Sequence, residues 1–419
     1  MYAEALMSKT IMILGAGEGQ LNFVRICKER GYRVICVSIA GDYPCFKICD
    51  TSYHVDTRDK ERILEIAQNE QIHAITTDQT DVSVLSVAYV AEHMGLKGIG
   101  CDCARRFTNK YSMRCQAKKA GLPVPDFAKA ATLAEALEAA HSIGYPVIIE
   151  PVDSSGSRGV VKISSDEELR ANFAYSLGKS QAQDVIVEKF ICGKEYLADG
   201  FAMDHQYVTL DVGDKEYFAV ENLFVSKMCM FSSVKNLEDP RAHLVKETND
   251  AIIRAFDLPF GITHAEYLYC EEDHKVYLVE CAARGGGVYL SSDLTPLASG
   301  FDTNTALIDY LMEDRKIFVD EDRLDNKVSA WLCFAFPDGV LTSLDGIDAV
   351  MKIPGVHKFC CDGFHIGMKT QALRDDSGKY GPILLSGSNR ADCYTIIERV
   401  KETFSATIQT EQGLAGLVW

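Results

Sequence analysis

Strand-like and helix-like patterns alternate through the first hundred residues of the chain. TIMILGAG, YRVICVSI and IHAITTD are apolar runs typical of buried strands, and QLNFVRICKERG, DKERILEIAQNE and VSVLSVAYVAEHMG repeat apolar residues at helical spacing. This alternation predicts parallel strands in a doubly wound α/β sheet. Ligands of such sheets bind beyond the carboxyl ends of the strands, which here are near Gly15–Gly19 and Thr76–Asp81.

The length of 419 residues exceeds what one hydrophobic core usually organises, so we predict three regions. An N-terminal α/β domain covers residues 1–108, a central α+β region covers 109–315, and a small C-terminal α+β domain covers 325–419. ATLAEALEAAHSIG and PRAHLVKETNDAIIRAFD are the clear helices of the central region. In the last region, strand-like runs precede a final predicted helix, RADCYTIIERVKETFSATI.

The charge and cysteine content of the chain exclude several classes of partner. A net charge of −17, from 43 basic and 60 acidic residues, repels polyanions, so we expect neither nucleic acid nor an anionic membrane as a partner. No apolar stretch reaches the roughly 18 residues that span a bilayer. Fifteen cysteines without a CxxC pair predict reduced thiols in a cytoplasmic protein.

The first glycine turn, GAGEGQ at residues 15–20, is a weak sign of a dinucleotide site. Such a site also needs an acidic residue at the end of the second strand, and VICVSIAGD offers only Asp42, which comes late. We therefore favour a tight strand-to-helix turn near some small molecule. A nicotinamide-dependent oxidoreductase stays open as an alternative.

A second small-residue segment has the composition of a phosphate-binding loop. An apolar run ends at Glu150, and a second one begins at Gly159. The loop between them supplies small side chains, backbone N–H groups and one positive charge, from Ser154, Ser155, Gly156, Ser157, Arg158 and Gly159. Such loops let backbone donors approach an anion closely. Lys110, which opens a predicted helix, precedes this loop.

Two carboxylates farther along the chain have the spacing of a magnesium site. Glu266 lies on the predicted strand GITHAEYLY, and Glu280 ends the next one, KVYLVECAARGGG. Carboxylates on adjacent strands of a hairpin share one face, and Mg²⁺ usually takes one or two carboxylates with phosphates and water. Arg284 precedes three glycines, so its side chain can reach an anion without obstruction from the backbone.

In this order the motifs resemble the ATP-grasp superfamily of ATP-dependent ligases. The resemblance is greatest to the branch that contains carbamoyl-phosphate-synthase-like proteins and L-amino acid (dipeptide) ligases, and it covers essentially the whole chain. It implies an ATP-grasp fold, with a small subdomain at about 124–187 and a large one at about 188–315 that enclose ATP. It also implies ATP and Mg²⁺ as cofactors and makes a homodimer plausible.

The resemblance implies a role for each site residue. Lys110 would contact the phosphates, the loop 154–159 would close over them, and Glu195 would hold the ribose. Mg²⁺ would bind to Glu266 and Glu280, and Arg284 would steady the transferred phosphate. The hinge that receives adenine would consist of Glu188, Lys189, Phe190 and Ile191.

Two positions depart from the family pattern. Ala282 stands where the family commonly has Asn, and this change is mild because Mg²⁺ retains waters readily. Glu150 stands where the family usually has Lys, and a carboxylate about 4 Å from a phosphate oxygen adds repulsion of about 4 kcal/mol at an effective dielectric of about 20. Arg158 or Lys162 could neutralise Glu150, although simple hairpin pairing places Lys162 on the opposite face.

The predicted function is an ATP- and Mg²⁺-dependent carboxylate–amine (or carboxylate–thiol) ligase. A small-molecule acid would be phosphorylated to an acyl-phosphate, and an amine would then displace phosphate. A bicarbonate- or formate-activating enzyme is an alternative, and Glu150 also leaves open a weakly active or non-catalytic nucleotide-binding protein. His264 is either a substrate contact or a packed strand residue. Residues 211–227 are a candidate lid, and Thr76–Asp81 a candidate wall of the second-substrate site.

Overall fold

The computed structural model of the protein describes residues 9–154, 156, 158–220, 225–287, 289–375 and 378–419. Over these ranges the chain forms four β-sheets and twelve α-helices. None of the described helices is long and apolar enough to span a membrane. Two residues of the predicted phosphate loop, Ser155 and Ser157, lie outside the described residues.

The N-terminal sheet has the parallel architecture that the sequence predicts. Its strands are β1 (Thr10–Leu14), β2 (Arg33–Ser38), β3 (Thr51–His54) and β4 (Ala74–Thr77), in the order β3-β2-β1-β4 and all parallel. The helices around it are α1 (Glu18–Glu29), α2 (Lys60–Asn69) and α3 (Val84–Met94). Because β1 and β4 are neighbours, Gly15 and Asp78 emerge side by side at one edge of the sheet.

Two helices, α4 (Cys101–Thr108) and α5 (Lys110–Lys119), lead from this sheet into the central region. Asn109 separates them and caps α5, because its side chain accepts a hydrogen bond from Ser112 N at 2.9 Å. The backbone N–H of Lys110 donates to Val152 O at 2.7 Å. This hydrogen bond fixes the start of α5 beside the predicted phosphate loop.

A small antiparallel sheet carries the loop and the hinge. It comprises β5 (Phe127–Ala130), β6 (Val147–Pro151), β7 (Val161–Ile163) and β8 (Val185–Lys189), in the order β5-β8-β6-β7. Helices α6 (Leu133–Ile143) and α7 (Asp166–Leu177) cover one face and bury an aliphatic core with it. The other face, with Glu150 and Glu188, is left for a ligand.

A large antiparallel sheet provides the opposite wall. Its strands follow the order β13-β12-β9-β10-β11-β14-β18-β16. Their bounds are β9 (Lys194–Met203), β10 (Gln206–Tyr217), β11 (Ser226–Ser233), β12 (Phe260–Cys270), β13 (Lys275–Ala282), β14 (Val328–Ala335), β16 (Val356–Phe359) and β18 (Lys379–Gly387). Helix α8 (Pro240–Phe256) packs beneath it, and α9 (Thr295–Ser299) and α10 (Thr303–Glu313) follow β13. Because β14 pairs with β11, this sheet contains strands from both sides of the predicted domain boundary at 315–325. The limits of the domains remain predictions.

The C-terminal residues add a fourth sheet, and the sequence-based prediction of its last helix is too long. The strands β15 (Gly339–Asp345), β17 (Lys369–Thr370), β19 (Ser405–Thr410) and β20 (Gly413–Gly416) lie in the order β17-β15-β19-β20, with helices α11 (Ile347–Val350) and α12 (Arg390–Thr403) nearby. Helix α12 ends at Thr403, and the residues SATIQT form β19 instead of a continuing helix. Burial alternates along β19, so its side chains follow the period of a strand.

Candidate nucleotide and metal site

A cavity of about 750 Å³ lies between the small antiparallel sheet and the large one. It brings together eleven of the fourteen predicted site residues, which are Lys110, Glu150, Ser154, Gly156, Glu188, Lys189, Phe190, Ile191, Glu195, Glu266 and Glu280. Arg284 does not line this cavity and lines a different one. These residues come from strands far apart in the chain, so the fold concentrates them in one cleft.

Lys110 links the two walls of the cavity. Its Nζ lies 3.2 Å from Glu150 Oε2 and 2.8 Å from Glu280 Oε2. Burial disfavours its charged form, but the two carboxylates outweigh this and raise the pKa of Lys110 above its usual range. Lys110 therefore neutralises Glu150, and the sequence did not reveal this partner. Burial raises the pKa of Glu150, and Lys110 opposes that shift.

The predicted orientation of Lys162 is wrong. In the register of β6 and β7, Lys162 pairs with Ile148, so it lies on the same sheet face as Ile148 and Glu150. The sequence does not determine how β6 and β7 pair, because a long loop joins them. The observed pairing differs by one residue from that of the simple hairpin assumed in the prediction. Lys162 Nζ lies 3.9 Å from the centre of the Phe190 ring, a cation–π contact.

The hinge carboxylate is engaged with a buried arginine. Arg114 Nε and Nη2 lie 2.5 and 3.2 Å from the two oxygens of Glu188, and Nη2 also donates to Val279 O at 2.7 Å. Both side chains of the pair are buried. The backbone N–H groups of Lys189 and Phe190 already donate to protein carbonyls. This arrangement makes Glu188 a structural anchor of the hinge, because its oxygens face Arg114.

Glu266 and Glu280 lie directly opposite each other in the β12–β13 register. Glu266 Oε1 is 3.6 Å from Lys215 Nζ and 3.8 Å from His264 Nε2. Burial alone would raise the pKa of Glu266, but His264 and Lys215 hold it well below its usual range. In the part of the chain that the structure describes, no three His, Cys, Asp or Glu side chains form a metal cage. A pair of carboxylates beside a cavity fits Mg²⁺, whose other ligands are phosphates and water.

The residue predicted to bind ribose, Glu195, belongs to a polar cluster on the same sheet. Lys215 Nζ and the Tyr217 hydroxyl both donate to its carboxylate, the latter at 2.5 Å. Although burial opposes it, the carboxylates of Glu266 and Glu195 raise the pKa of Lys215 above its usual range. Lys215 therefore connects the predicted ribose and metal residues and places a fixed positive charge between them.

Arg284 binds the N-terminal domain. Its Nε and Nη2 donate to the two oxygens of Asp81 at 2.9 and 2.8 Å, and Nη1 donates to Gly285 O at 2.9 Å. The guanidinium is buried, and Asp81 outweighs the effect of burial and raises the pKa of Arg284 further. Contact between Arg284 and a phosphate stays a prediction, and it would compete with Asp81.

Asp78 joins the end of β4 to the glycine segment that follows Arg284. Its oxygens accept hydrogen bonds from Gly285 N at 2.8 Å and from Ser291 Oγ at 2.9 Å. Burial raises the pKa of Asp78 to about 6. A Cβ at Gly285 would lie 2.3 Å from Asp78 Oδ1, so only glycine permits this approach. The predicted wall Thr76–Asp81 thus reaches the segment that follows β13.

His264 is buried and does not line the nucleotide cavity. Its Nδ1 lies 3.0 Å from Asp199 Oδ1, and although burial opposes protonation, Asp199 raises the pKa of His264 to about 9. This geometry agrees with the alternative of a packed strand histidine, one that also borders a metal-site carboxylate.

The described residues of the other candidate segments lie mostly in strands or in hydrogen-bonded turns. Residues 211–217 and 226–227 belong to β10 and β11, and 221–224 lie outside the described residues. In the first glycine turn, Gln20 Oε1 accepts from Gly17 N at 3.0 Å, and Gln20 Nε2 donates to Asp78 O. Asp42, the late acidic residue, is exposed and pairs with Lys47 at 2.9 Å.

Comparison with known proteins identifies the central region. A family model described as "Carbamoyl-phosphate synthase L chain, ATP binding domain" matches residues 109–308. The match covers just under half of the chain and shows what residues 109–308 are similar to. The whole chain superposes on the L-amino acid ligase of Bacillus licheniformis with a TM-score of 0.77, at 18% identity, covering 96% of this chain and 99% of the ligase. At that identity the likeness shows a shared fold, and the chain therefore has the ATP-grasp fold throughout.

Curated relatives are more similar in sequence, and each is matched over only part of its length. A protein of Sinorhizobium fredii called "Uncharacterized protein y4rH" is 27% identical over 334 residues, which are 77% of this chain and 66% of the relative. The formate-dependent phosphoribosylglycinamide formyltransferase of Chlorobaculum tepidum is 29% identical over 196 residues, 44% of this chain and 48% of the enzyme. The chain thus spans less than two thirds of the first relative and less than half of the second.

The residues that sequence reasoning missed in the ATP-grasp region are long-range partners. Lys215 and Tyr217 alternate along one strand, a signal that places both on one face. Arg114 lies on α5 one turn after Lys110, which also predicts a shared face. The pairing of Arg284 with Asp81 carried no sequence signal, because 203 residues separate the two.

Proposed function

We propose that the chain is an ATP- and Mg²⁺-dependent ligase that joins a small-molecule carboxylate to an amine or a thiol through an acyl-phosphate, with release of ADP and phosphate. The observation that supports this most is that one cavity holds Lys110, a pair of carboxylates and the hinge residues. No serine–histidine–aspartate arrangement is needed, because phosphoryl transfer depends on positioning and charge neutralisation.

The residues that line the nucleotide cavity would have separate roles. Lys110 would leave Glu150 and Glu280 for the phosphates, and Glu280 with Glu266 would hold Mg²⁺. When bound, Mg²⁺ neutralises part of the phosphate charge. Ile191 and the ring of Phe190 would receive adenine, since Glu188 is engaged with Arg114.

The acid and the amine would bind in the neighbouring cavity, of about 470 Å³, that shares Lys110, Ser154 and Glu280 with the first. Asp81 lines it, so the Asp81–Arg284 pair stands between the two domains at its edge. Release of Arg284 from Asp81 would supply the cation that steadies the transferred phosphate. In each catalytic cycle Arg284 would then leave Asp81, bind the transferred phosphate and return to Asp81.

A non-catalytic nucleotide-binding protein is the alternative that Glu150 motivates. Against it stand the other predicted site residues that line the cavity, together with Lys110 as the neutralising partner of Glu150. A formate-activating enzyme is the second candidate, favoured by the similarity to the Chlorobaculum tepidum formyltransferase, and a bicarbonate-activating enzyme is related to it.

The test is ADP release in mixtures of acids and amines. A ligase releases ADP only when both are present, whereas a formate-activating enzyme responds to formate and one amine. The variant Glu280→Gln should abolish release in either case because it removes a metal carboxylate, and Glu138→Gln, on an exposed face of α6, serves as the control. ATP binding without ADP release from any mixture would favour the non-catalytic alternative.

We also propose a cytoplasmic location and a homodimer. The first is supported by the fifteen cysteines, which all lie in described residues and are all free thiols. The second rests on the family resemblance alone. Sedimentation velocity of the purified chain tests it directly.

A further inference from the structure

Two buried aspartates lie opposite each other in the large sheet, and neither lines the nucleotide cavity. Asp211 of β10 pairs with Asp199 of β9 in the strand register. Asp211 is 0% exposed and Asp199 is 1% exposed. Among the described residues, neither oxygen of Asp211 has a hydrogen-bond partner, and Asp199 Oδ2 has none either. Buried carboxylates are normally hydrogen-bonded, paired with a charge or bound to a metal ion, so these three oxygen atoms indicate a missing ligand.

A β-bulge directs Asp211 towards its neighbour. The register of β10 against β9 passes from Thr209 opposite Gly200 to Asp211 opposite Asp199, so β10 has one extra residue, Leu210. Bulges re-aim a side chain, and directly opposed residues of antiparallel strands have Cβ atoms about 4.5–5.5 Å apart. The bulge therefore holds the two carboxylates side by side on one face of the sheet.

The two carboxylates are unequally compensated. Asp199 Oδ1 lies 3.0 Å from His264 Nδ1, which leaves Oδ2 for another partner. Burial and the carboxylate of Asp199 raise the pKa of Asp211 well above its usual range, although the Thr295 hydroxyl and His264 oppose that shift. One carboxylate thus has an imidazole at hydrogen-bond distance, and in the described part of the chain the other has no such partner.

A helical segment covers this face and adds a fourth oxygen atom. Leu294 belongs to the same apolar cluster as Leu197, which precedes Asp199 by two residues and shares its face. Ser329 Oγ donates a hydrogen bond to Leu294 O at 2.8 Å and fixes the segment above the sheet. Thr295, the next residue, begins α9, which packs against β10 and β11. Its Oγ1 is buried and also lacks a hydrogen-bond partner among the residues that the structure describes.

The number and type of these atoms indicate the kind of ligand. Carboxylate and hydroxyl oxygens are hard ligands, which hard cations prefer. Mg²⁺ demands near-octahedral geometry and retains waters, and Ca²⁺ takes about 6–8 oxygen ligands. Over the described ranges, no three His, Cys, Asp or Glu side chains form a cage for such an ion. Four oxygen atoms and one uncompensated carboxylate therefore favour a monovalent cation.

We propose that Asp199 and Asp211 hold a monovalent alkali cation, Na⁺ or K⁺, in a buried site that Thr295 completes. The cation neutralises the pair and holds β9 against β10 at the bulge. Glu195 and Lys215 of the nucleotide cavity lie four residues away on these two strands, so the cation stabilises the sheet that carries them. The site does not depend on the proposed ligase activity.

Thermal unfolding of the full chain tests the site in the absence of nucleotide and divalent ions. The chain is unfolded with EDTA in KCl, NaCl or choline chloride at equal ionic strength. Choline is too large for a buried site of this kind. The midpoint should be at least about 2 °C higher in KCl or NaCl than in choline chloride, because a cation that binds only the folded chain stabilises it. Equal midpoints in the three salts would overturn the proposal and leave a proton on the carboxyl pair as the neutralising charge.

Two matched variants assign any difference between the salts to these residues. Asp211→Asn and Asp348→Asn remove the same charge, at a buried and at an exposed position. Asp211→Asn should abolish the difference, whereas Asp348→Asn should retain it. If Asp211→Asn does not fold, Thr295→Val decides, since it removes one hydroxyl ligand and should raise the salt concentration needed for the same stabilisation several-fold. An unchanged salt requirement in Thr295→Val, or a difference that persists in Asp211→Asn, would refute the site.

Sodium NMR and amide hydrogen exchange show where the cation binds. The wild type and Asp348→Asn should broaden the sodium line more than Asp211→Asn does, and KCl should remove the excess broadening. Amide hydrogens of residues 195–199 and 211–215 should exchange more slowly in KCl or NaCl than in choline chloride. Equal broadening by all three chains, or slower exchange confined to other segments, would contradict a cation between Asp199 and Asp211.

Discussion

Substitution of Glu150 by lysine tests the most unusual feature of the site. In the structure, Glu150 is buried and its carboxylate lies 3.2 Å from Lys110 Nζ. Two unit charges about 4 Å apart interact by about 4 kcal/mol at an effective dielectric of about 20. Glu150→Lys turns this attraction into repulsion, and breaking a buried pair typically costs about 3–5 kcal/mol. We therefore expect the nucleotide-free variant to unfold at a clearly lower temperature than the wild type.

Mg-ATP should raise the thermal stability of Glu150→Lys. A lysine at this position gains a charge-assisted hydrogen bond to phosphate of about 1.5–3 kcal/mol, which corresponds to roughly tenfold to hundredfold tighter binding. Calorimetry at matched temperature measures the affinity, and differential scanning fluorimetry measures the recovery of stability as Mg-ATP is added. The variant should lose stability without nucleotide and regain it with nucleotide.

Two controls separate charge from position. Glu150→Gln removes the charge without adding a cation, so it should fall between the wild type and Glu150→Lys in both assays. Glu138→Lys makes the same charge change on an exposed face of α6 and should leave both unchanged. If Glu150→Lys is as stable as the wild type and binds Mg-ATP no more tightly, the Lys110–Glu150 pair determines neither the stability of the protein nor its affinity for Mg-ATP.

Three further predictions concern the supports of the site. Arg114→Met leaves the buried Glu188 unpaired and should lower the free energy of unfolding, measured by urea titration, by about 3–5 kcal/mol. The control Arg105→Met breaks an exposed ion pair and should lower the same quantity by at most about 0.5 kcal/mol. Asp78 has a folded-state pKa of about 6, above its unfolded value. Wild-type stability should therefore fall from pH 4 to pH 6 by on the order of 2 kcal/mol more than that of Asp78→Asn, and parallel pH profiles would contradict this. Gly285→Ala places a Cβ 2.3 Å from Asp78 Oδ1 and should reduce both thermal stability and ADP release, while Gly287→Ala, whose Cβ meets no described atom within 4 Å, should change neither.

Local signals in the sequence predicted the elements well where glycine turns and apolar periods coincide. The parallel N-terminal sheet, α8 and the β12–β13 hairpin follow from such signals. Helices α7 and α10 were not predicted, although Ser165 and Asp302 cap them with side-chain hydrogen bonds. The last helix was extended too far because Phe404 continues its apolar period, yet the chain turns extended there and enters β19.

The composition of the site was predictable and its internal pairing was not. Residue types in a characteristic order indicated which side chains would meet at the cavity. Which cation neutralises Glu150 depends on the approach of Lys110 across the cleft, 40 residues away in sequence, and on a strand register that the loop 154–159 leaves open. The engagement of Arg284 by Asp81 likewise follows from domain packing and not from any local pattern.

The central claim is that this cavity binds ATP through a divalent cation held by Glu266 and Glu280. The measurement that tests it most directly is calorimetric titration of the wild type and Glu280→Gln with ATP, each with and without Mg²⁺. The account predicts that the wild type binds only when Mg²⁺ is present and that Glu280→Gln binds at least about tenfold more weakly. Equal affinity with and without Mg²⁺, or no binding by the wild type under any of these conditions, would contradict it.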